Sequence, residues 1–331
     1  MRHGGDLSEA IARYGGTEQD WMDLSTGINP HAYPTAGHLA QADWASLPTS
    51  KAESDLIAAA RRAYEVPSHL AMVAAPGTQA LISQLPYLVE RTTVATLSPT
   101  YASHEESWAS AGHTVMKAPS LEHLPQAARV AVVVNPNNPT GTLYGSEALL
   151  ATAQQLSARG GLLIVDEAFA DCLEKASLLP HLTDLPVVVL RSFGKFYGLA
   201  GLRLGFMIGS HPLCEAMKER LGTWAVSGPA LKIGTAALGD DIWRREMRNK
   251  LVAGAHRLEK LVASCGMVRE GGTPLFSLIS GVDAEALHAH LAAQHIWTRH
   301  FDYSKTWLRL GRPASEPHWQ RLETALTSYK P

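Results

Sequence analysis

Residues 192–203 read SFGKFYGLAGLR and follow directly on the apolar run 187–190. Such a run reads as a buried strand and the glycines after it as a turn, so the Lys195 amine sits just past a strand end, held rather than freely solvated. Ser192 and Arg203 flank it with a hydroxyl and a planar guanidinium, donors suited to a phosphate. An amine beside a phosphate site is what holding pyridoxal phosphate requires, since that molecule carries an aldehyde that condenses with lysine. An exposed lysine in a glycine-rich loop would look the same, so the rest of the chain must decide.

Other polar motifs also stand at the ends of strand-like runs. Residues 71–75 lead into Gly77, Thr78 and Gln79 and then a helical stretch, 80–88. The first N–H groups of a helix with a Thr hydroxyl beside them suit an anion, and equally suit an ordinary helix start. Pro99, Thr100 and Tyr101 follow the run 93–97, NPNNPTG (135–141) follows 130–134, and Asp166, opening DEAF, follows 162–165. Further strand signals at 115–117 and 204–208 and helical stretches at 54–65, 103–111 and 146–159 complete an alternating pattern. That alternation predicts an α/β domain with a mostly parallel sheet buried on both faces. Ligands of such sheets sit at the carboxyl ends of the strands, where all of these motifs fall.

At the N-terminus His3, Gly4 and Gly5 precede a short helical pattern, 7–14. Paired glycines let successive N–H groups converge on an anion, and the His adds a donor; a flexible terminus is the plain alternative. The irregular segment DLSTGINPHAYP, 23–34, has the composition of a surface or cleft-lining stretch. After His211 and Pro212 the pattern changes to long helices over 229–264. Strand-like runs at 276–279 and 307–310 then bracket a helix, 283–293, and a last helix covers 317–329. The expected organisation is an arm, 1–34, packing with the small domain and the active site. A large domain, 35–211, and a smaller α+β domain, 212–331, follow.

With 331 residues, 46% of them hydrophobic, the chain can bury a large core. A formal charge of -2 leaves no basic footprint for nucleic acid, and small molecules are the expected partners. Cys172, Cys214 and Cys265 are odd in number and far apart, which suits buried thiols rather than disulfides or a metal knuckle. No apolar stretch suggests a signal or a membrane span, so a cytoplasmic location is expected.

NPNNPTG, DEAF and SFGKFYGLAGLR, in that order and spacing, resemble the fold type I pyridoxal phosphate enzymes of the class I/II aminotransferase superfamily, over nearly the whole chain. The resemblance implies an aminotransferase-like large domain and a homodimer with no nucleic-acid or membrane partner. Carried over residue by residue, it implies that Lys195 binds the cofactor covalently and later moves protons, and that Asp166 pairs with the pyridine nitrogen. Asn138 would donate to the ring 3′-oxygen and also meet the substrate. Tyr101 would lie on the ring face, with His104 buttressing Asp166 or sharing the stacking. Gly77, Thr78, Gln79, Ser192 and Arg203 would hold the cofactor phosphate. Arg309, in WLRLG, would take a substrate carboxylate, with Arg299 in WTRHFD as a second anion contact and Ile28 and Asn29 of STGINP lining the substrate side.

Two positions depart from the wider superfamily pattern. Phe169 ends DEAF where many members place a tyrosine that donates to the 3′-oxygen, which leaves Asn138 as the main donor there. Leu47, before Pro48, stands where many have a tyrosine that reaches the neighbouring subunit's cofactor phosphate. For the reaction, HGG followed by a helix and then STGINP is similar to the branch that decarboxylates L-threonine O-3-phosphate. That activity yields (R)-1-aminopropan-2-yl phosphate and carbon dioxide for cobalamin synthesis. A doubly anionic substrate needs two anion sites. His3 with the Gly4 and Gly5 amides, helped by Arg299, would hold its phosphate while Arg309 restrains its carboxylate. The alternatives are amination in the manner of the histidinol-phosphate aminotransferase branch and, more remotely, a non-catalytic module that senses pyridoxal phosphate.

Overall fold

The computed structural model describes residues 4–330, in two compact units. The larger comprises Ala32–Asn138 and Thr142–Arg245; the smaller comprises the described residues up to His31, Pro139–Gly141 and Glu246–Pro331, described to Lys330.

A seven-stranded sheet forms the larger unit, in the order Ala71–Ala75, Gly205–Gly209, Val187–Ser192, Leu162–Asp166, Ala128–Val134, Thr93–Leu97, Thr114–Ala118. All neighbours are parallel except Gly205–Gly209, which runs antiparallel to both of its partners. Apart from Arg129 and Leu162 near their starts, the central strands are buried, as continuous Val, Ile and Leu runs require when helices cover both faces. On one face Val73, Val130, Ile164, Val188 and Met207 pack with Leu81, Ile82, Trp108, Cys214 and Met217 from the covering helices. Elsewhere the helix Ser50–Ala63 packs on Gly228–Gly239, where Gly234 permits close approach: a Cβ there would lie 2.6 Å from Leu204 Cδ2 and 2.8 Å from Leu56 Cδ1.

The antiparallel strand sets the position of the site. Gly205 lies opposite both Ala75 and Ser192. The start of that strand therefore shares one edge of the sheet with the carboxyl ends of the parallel strands. Loops after Ala75, Leu97, Val134, Asp166 and Ser192, and the loop before Gly205 that carries Arg203, all leave from this edge.

A four-stranded antiparallel sheet, in the order Arg299–Phe301, Ser304–Leu310, Phe276–Ser280, Val268–Thr273, forms the smaller unit. Leu258, Val262, Ile279, Leu287, Leu291, Leu308, Leu322 and Leu326 make its core, drawn from the sheet and the helices Asp241–Ser264, Ala284–Ala292 and Glu316–Thr327. The N-terminal helix, Ser8–Tyr14, joins it through a second cluster of Ala10, Trp21 and Trp297 with Tyr14. Met22–Asp23 pairs in parallel with Ile296–Trp297.

One expected boundary moves. The helices His211–Leu221 and Gly228–Gly239 group with the large sheet rather than with the small domain assigned to 212–331. The reason is packing: Cys214 and Met217 complete the core around Val73 and Met207. A helical pattern announces an apolar face without saying which core it meets.

Candidate active site

Gly77, Thr78, Gln79, Tyr101, Asn138, Asp166, Ser192 and Lys195 lie on or within four residues past strand ends in the larger unit, and Arg203 lies two residues before the strand Gly205–Gly209. Gly77 has φ +85° and ψ 157°, a conformation open to glycine alone, and a Cβ there would lie 2.5 Å from Arg203 Nη2. A Cβ on Gly205 would lie 2.6 Å from the Thr78 nitrogen. These two glycines let the guanidinium and the turn approach each other. Arg203 is exposed, in the left-handed region at φ 53° and ψ 64°, and its Nη1 donates to Ala200 O at 3.3 Å. Ser192 is the buried last residue of its strand, and Thr78 opens the helix Thr78–Gln84. Arg203, Ser192, Thr78 and Gln79 thus offer a guanidinium, two hydroxyls and an amide group around one edge of the sheet.

Asp166 is 3% exposed and His104 is 1% exposed, and the two are bonded, His104 Nε2 to Asp166 Oδ2, at 2.8 Å. Asp166 Oδ1 accepts from the Ala168 amide at 3.0 Å. A desolvated carboxylate oriented from two sides in this way can hold a proton on an aromatic nitrogen. The His104–Asp166 bond is the contact that the buttressing role expected for His104 requires. Its ring stands edge-on to Tyr101 at 6.2 Å, and the Tyr101 hydroxyl donates to Gln79 Oε1 at 3.1 Å. Lys195, half-buried in the short helix Phe193–Phe196, places Nζ 6.0 Å from the centre of the buried Phe169 ring. Phe169 thus shapes the lysine's surroundings without a hydroxyl. Asn138 is half-buried beside Asn137, a residue that sequence reasoning passed over. Asn137 Oδ1 accepts from Thr100 Oγ1 at 2.7 Å and its Nδ2 donates to Pro99 O at 3.0 Å, so it ties the loop carrying Asn138 to the loop carrying Tyr101. The asparagine run itself was the signal, because such side chains bond to nearby backbone.

In the smaller unit Arg299 and Arg309 are directly opposed on adjacent antiparallel strands. Arg309 is 7% exposed, its Nη2 donates to Ser25 O at 2.5 Å, and it lies 5.3 Å from the Phe276 ring centre. Burial pushes the Arg309 guanidinium down to about 10, with Arg299 adding like-charge repulsion. Burial lowers Arg299 as well. Two guanidiniums set opposite each other on neighbouring strands offer planar donors suited to an anion beside them.

His3 lies outside the described residues. Gly5 does not present the free amide expected of it, because its N–H donates to Ser25 Oγ at 2.9 Å. A Cβ on Gly4 would lie 2.5 Å from Ser25 O, so the glycines here let the arm lie against Ser25. Ser25 is a second residue sequence reasoning missed: its amide and hydroxyl both donate to Asp23 Oδ1, at 2.8 and 2.6 Å, while its carbonyl holds Arg309. The spacing Asp23 to Ser25 was the available sign, that of an Asx turn. Asn29 is buried and accepts the His31 amide at 2.9 Å, and Ile28 is half-buried.

The donor set in the larger unit fits pyridoxal phosphate: glycines that open a cradle for an anion beside Arg203, a buried carboxylate, an amine and an aromatic side chain. A sequence profile of the family described as "Aminotransferase class I and II" matches residues 19–324. The chain is 42% identical to a threonine-phosphate decarboxylase of Pseudomonas aeruginosa, over 100% of this chain and 98% of the relative. It is 40% identical to one of Sinorhizobium sp., over 98% and 97% of the two chains. Among solved structures it is similar to the histidinol-phosphate aminotransferase of Sinorhizobium meliloti in complex with pyridoxal-5'-phosphate, with a TM-score of 0.85 at 23% identity over 98% and 94% of the chains.

Proposed function

The chain belongs to the class I and II aminotransferase family, and from that premise we propose that it is a pyridoxal phosphate-dependent carboxy-lyase. It converts L-threonine O-3-phosphate to (R)-1-aminopropan-2-yl phosphate and carbon dioxide. The observation that carries this reading is the full-length similarity, at 40% and 42% identity, to two enzymes named threonine-phosphate decarboxylase. The fold alone does not choose, since the aminotransferase of known structure shares it.

Within this reading, Lys195 attaches the cofactor, which when bound acts as an electron sink for the bond broken at the substrate Cα. Asp166, oriented by His104, keeps a proton on the ring nitrogen. Arg203, Ser192, Thr78 and the amides of Thr78 and Gln79 hold the cofactor phosphate, Asn138 donates to the ring 3′-oxygen, and Tyr101 covers the ring face. Arg309 takes the substrate carboxylate by its planar fork, and Arg299 meets the second anion, the phosphate. Ile28 and Asn29 line the same side.

Loss of the carboxylate would require its bond to be aligned with the electron sink that the bound cofactor would supply. Arg309 must therefore steer the group without stabilising it most strongly in the ground state, because uniform binding leaves the barrier unchanged. A firmly held phosphate supplies orientation instead. The Lys195 ammonium, or a water, then returns a proton to the carbon that has lost the carboxylate. The active form in this proposal is a homodimer.

The test is to supply L-threonine O-3-phosphate to purified enzyme loaded with cofactor and to measure carbon dioxide. Stoichiometric release without any keto acid is expected. Conversion of 2-oxoglutarate to glutamate, with no carbon dioxide formed, would place the enzyme with the aminotransferases instead.

A further inference from the structure

Behind the strand ends that carry the cofactor residues lies a buried ionic cluster that the chemistry above does not use. Arg191, 3% exposed, directs Nη1 to Glu167 Oε2 at 2.7 Å and Nη2 to Asp171 Oδ1. Glu167 and Asp171 are 0% and 3% exposed. The guanidinium lies over the Tyr64 ring, 4.3 Å from its centre. Glu167 is held further by the Ser177 hydroxyl at 2.6 Å and the Leu178 amide at 2.6 Å. Arg244, bonded to Ala63 O at 3.0 Å and to Asp241, adds a second positive charge nearby. Arg191 stays charged: burial disfavours its cation, but Asp171 and Glu167 outweigh burial and push its pKa up.

The position of this cluster follows from strand geometry. Asp166 is in register with Leu190, and the Glu167 amide donates to Leu190 O at 2.8 Å. Side chains alternate along a strand, so Asp166 and Ser192 share one face while Glu167 and Arg191 point to the other. Each residue of the ion pair is thus the immediate chain neighbour of a cofactor residue, at the ends of the same two adjacent strands. The Asp171 contact adds the turn that follows DEAF.

We propose that Arg191 is a positioning residue: its fork, closed on Glu167 and Asp171, fixes the two strand ends against each other and so sets the spacing of Asp166, Ser192 and Lys195. Apolar packing could stabilise the same sheet but would leave the terminal residues of the two strands free to slide or fray. A bidentate guanidinium bridging two carboxylates fixes direction as well as distance. The proposal rests on the cofactor site described above and is independent of which reaction that site performs.

The test compares Arg191→Lys, which keeps a cation but cannot bridge both carboxylates, with Leu149→Ala, a core truncation in the helix Ser146–Ser157 of the same unit. Both lower the thermal midpoint. Arg191→Lys is expected to release cofactor on the order of tenfold faster and to lower kcat by about ten- to a hundredfold with KM nearly unchanged, as a misplaced constellation does. Amide exchange should rise selectively over 162–167 and 187–193. Leu149→Ala should leave cofactor release at the wild-type rate. If Arg191→Lys does not fold, Asp171→Asn, isosteric and with one charge fewer, is read by the same measurements. Wild-type cofactor release in the cluster variant, or equal acceleration in Leu149→Ala at matched stability, overturns the proposal. Cofactor release and amide exchange do not depend on which reaction the site performs, so a wrong reaction assignment leaves those two readouts intact.

Discussion

Gly77→Ala probes the cradle at its narrowest point. The substitution forces a side chain into φ +85° and ψ 157°, a region essentially reserved for glycine, at a cost of about 1–3 kcal/mol. Its Cβ would also fall 2.5 Å from Arg203 Nη2 and 2.9 Å from Cζ. Arg203 is exposed, so its side chain can swing away, and the collision itself adds little to the stability loss. What the swing removes is the guanidinium from the phosphate. A hydrogen bond to a charged group contributes about 1.5–3 kcal/mol, which corresponds to roughly tenfold to a hundredfold weaker cofactor binding. The assay is titration of cofactor-free protein by absorbance, with urea midpoints of the cofactor-free proteins recorded in parallel. Arg203→Ala should weaken binding by a similar factor without the backbone strain. The double variant should bind little worse than either single one, because both remove the same contact. Gly77→Ala with wild-type affinity, or fully additive losses, would refute the assignment of this turn to the cofactor phosphate.

The other expectations concern the smaller unit. Arg299→Gln removes the cation set opposite Arg309, so KM for a phosphorylated amino acid should rise about tenfold; an unchanged KM contradicts this. Arg312 donates to Pro274 O, Ser277 Oγ and Thr273 O at 2.9, 3.0 and 2.9 Å, so Arg312→Ala strands buried acceptors and should cost about 3 kcal/mol or more in urea titrations. Burial, with His300 beside it, pushes His288 down to about 4. The unfolded chain then binds the extra proton between roughly pH 6.5 and 4, so stability falls as pH falls through that window, by up to about 1.4 kcal/mol per unit. His288→Gln should flatten this acid limb in pH-dependent urea melts, and an unchanged slope would contradict the burial effect.

Much of the larger unit was legible because its strands are continuous apolar runs with motifs at their ends. The runs at 71–75, 93–97, 130–134, 162–165 and 187–190 all lie within strands, and the residues after them share one edge. The antiparallel direction of Gly205–Gly209 was not legible, since a short apolar run carries no direction, yet it is what brings Arg203 to the edge. In the smaller unit Val268–Thr273 was hidden by its composition, VREGGT, with charges and paired glycines where a strand signal needs apolar residues. Arg299–Phe301 has only three residues, too few for any periodicity to show. The Gly5 amide was misjudged for a different reason. Two glycines tell of close approach but not of what approaches, and here it is Ser25. The face-to-face arginines could not be read from a spacing of ten residues without the register of the strands between them.

The most direct test of decarboxylation follows both ends of the broken bond at once. L-Threonine O-3-phosphate labelled with carbon-13 at the carboxylate is turned over by the cofactor-loaded enzyme in deuterium oxide. One labelled carbon dioxide per substrate consumed is predicted, together with (R)-1-aminopropan-2-yl phosphate carrying a single deuterium on the carbon that lost the carboxylate. Label retained in a phosphorylated keto acid, with the amino group passed to an added acceptor, would contradict it.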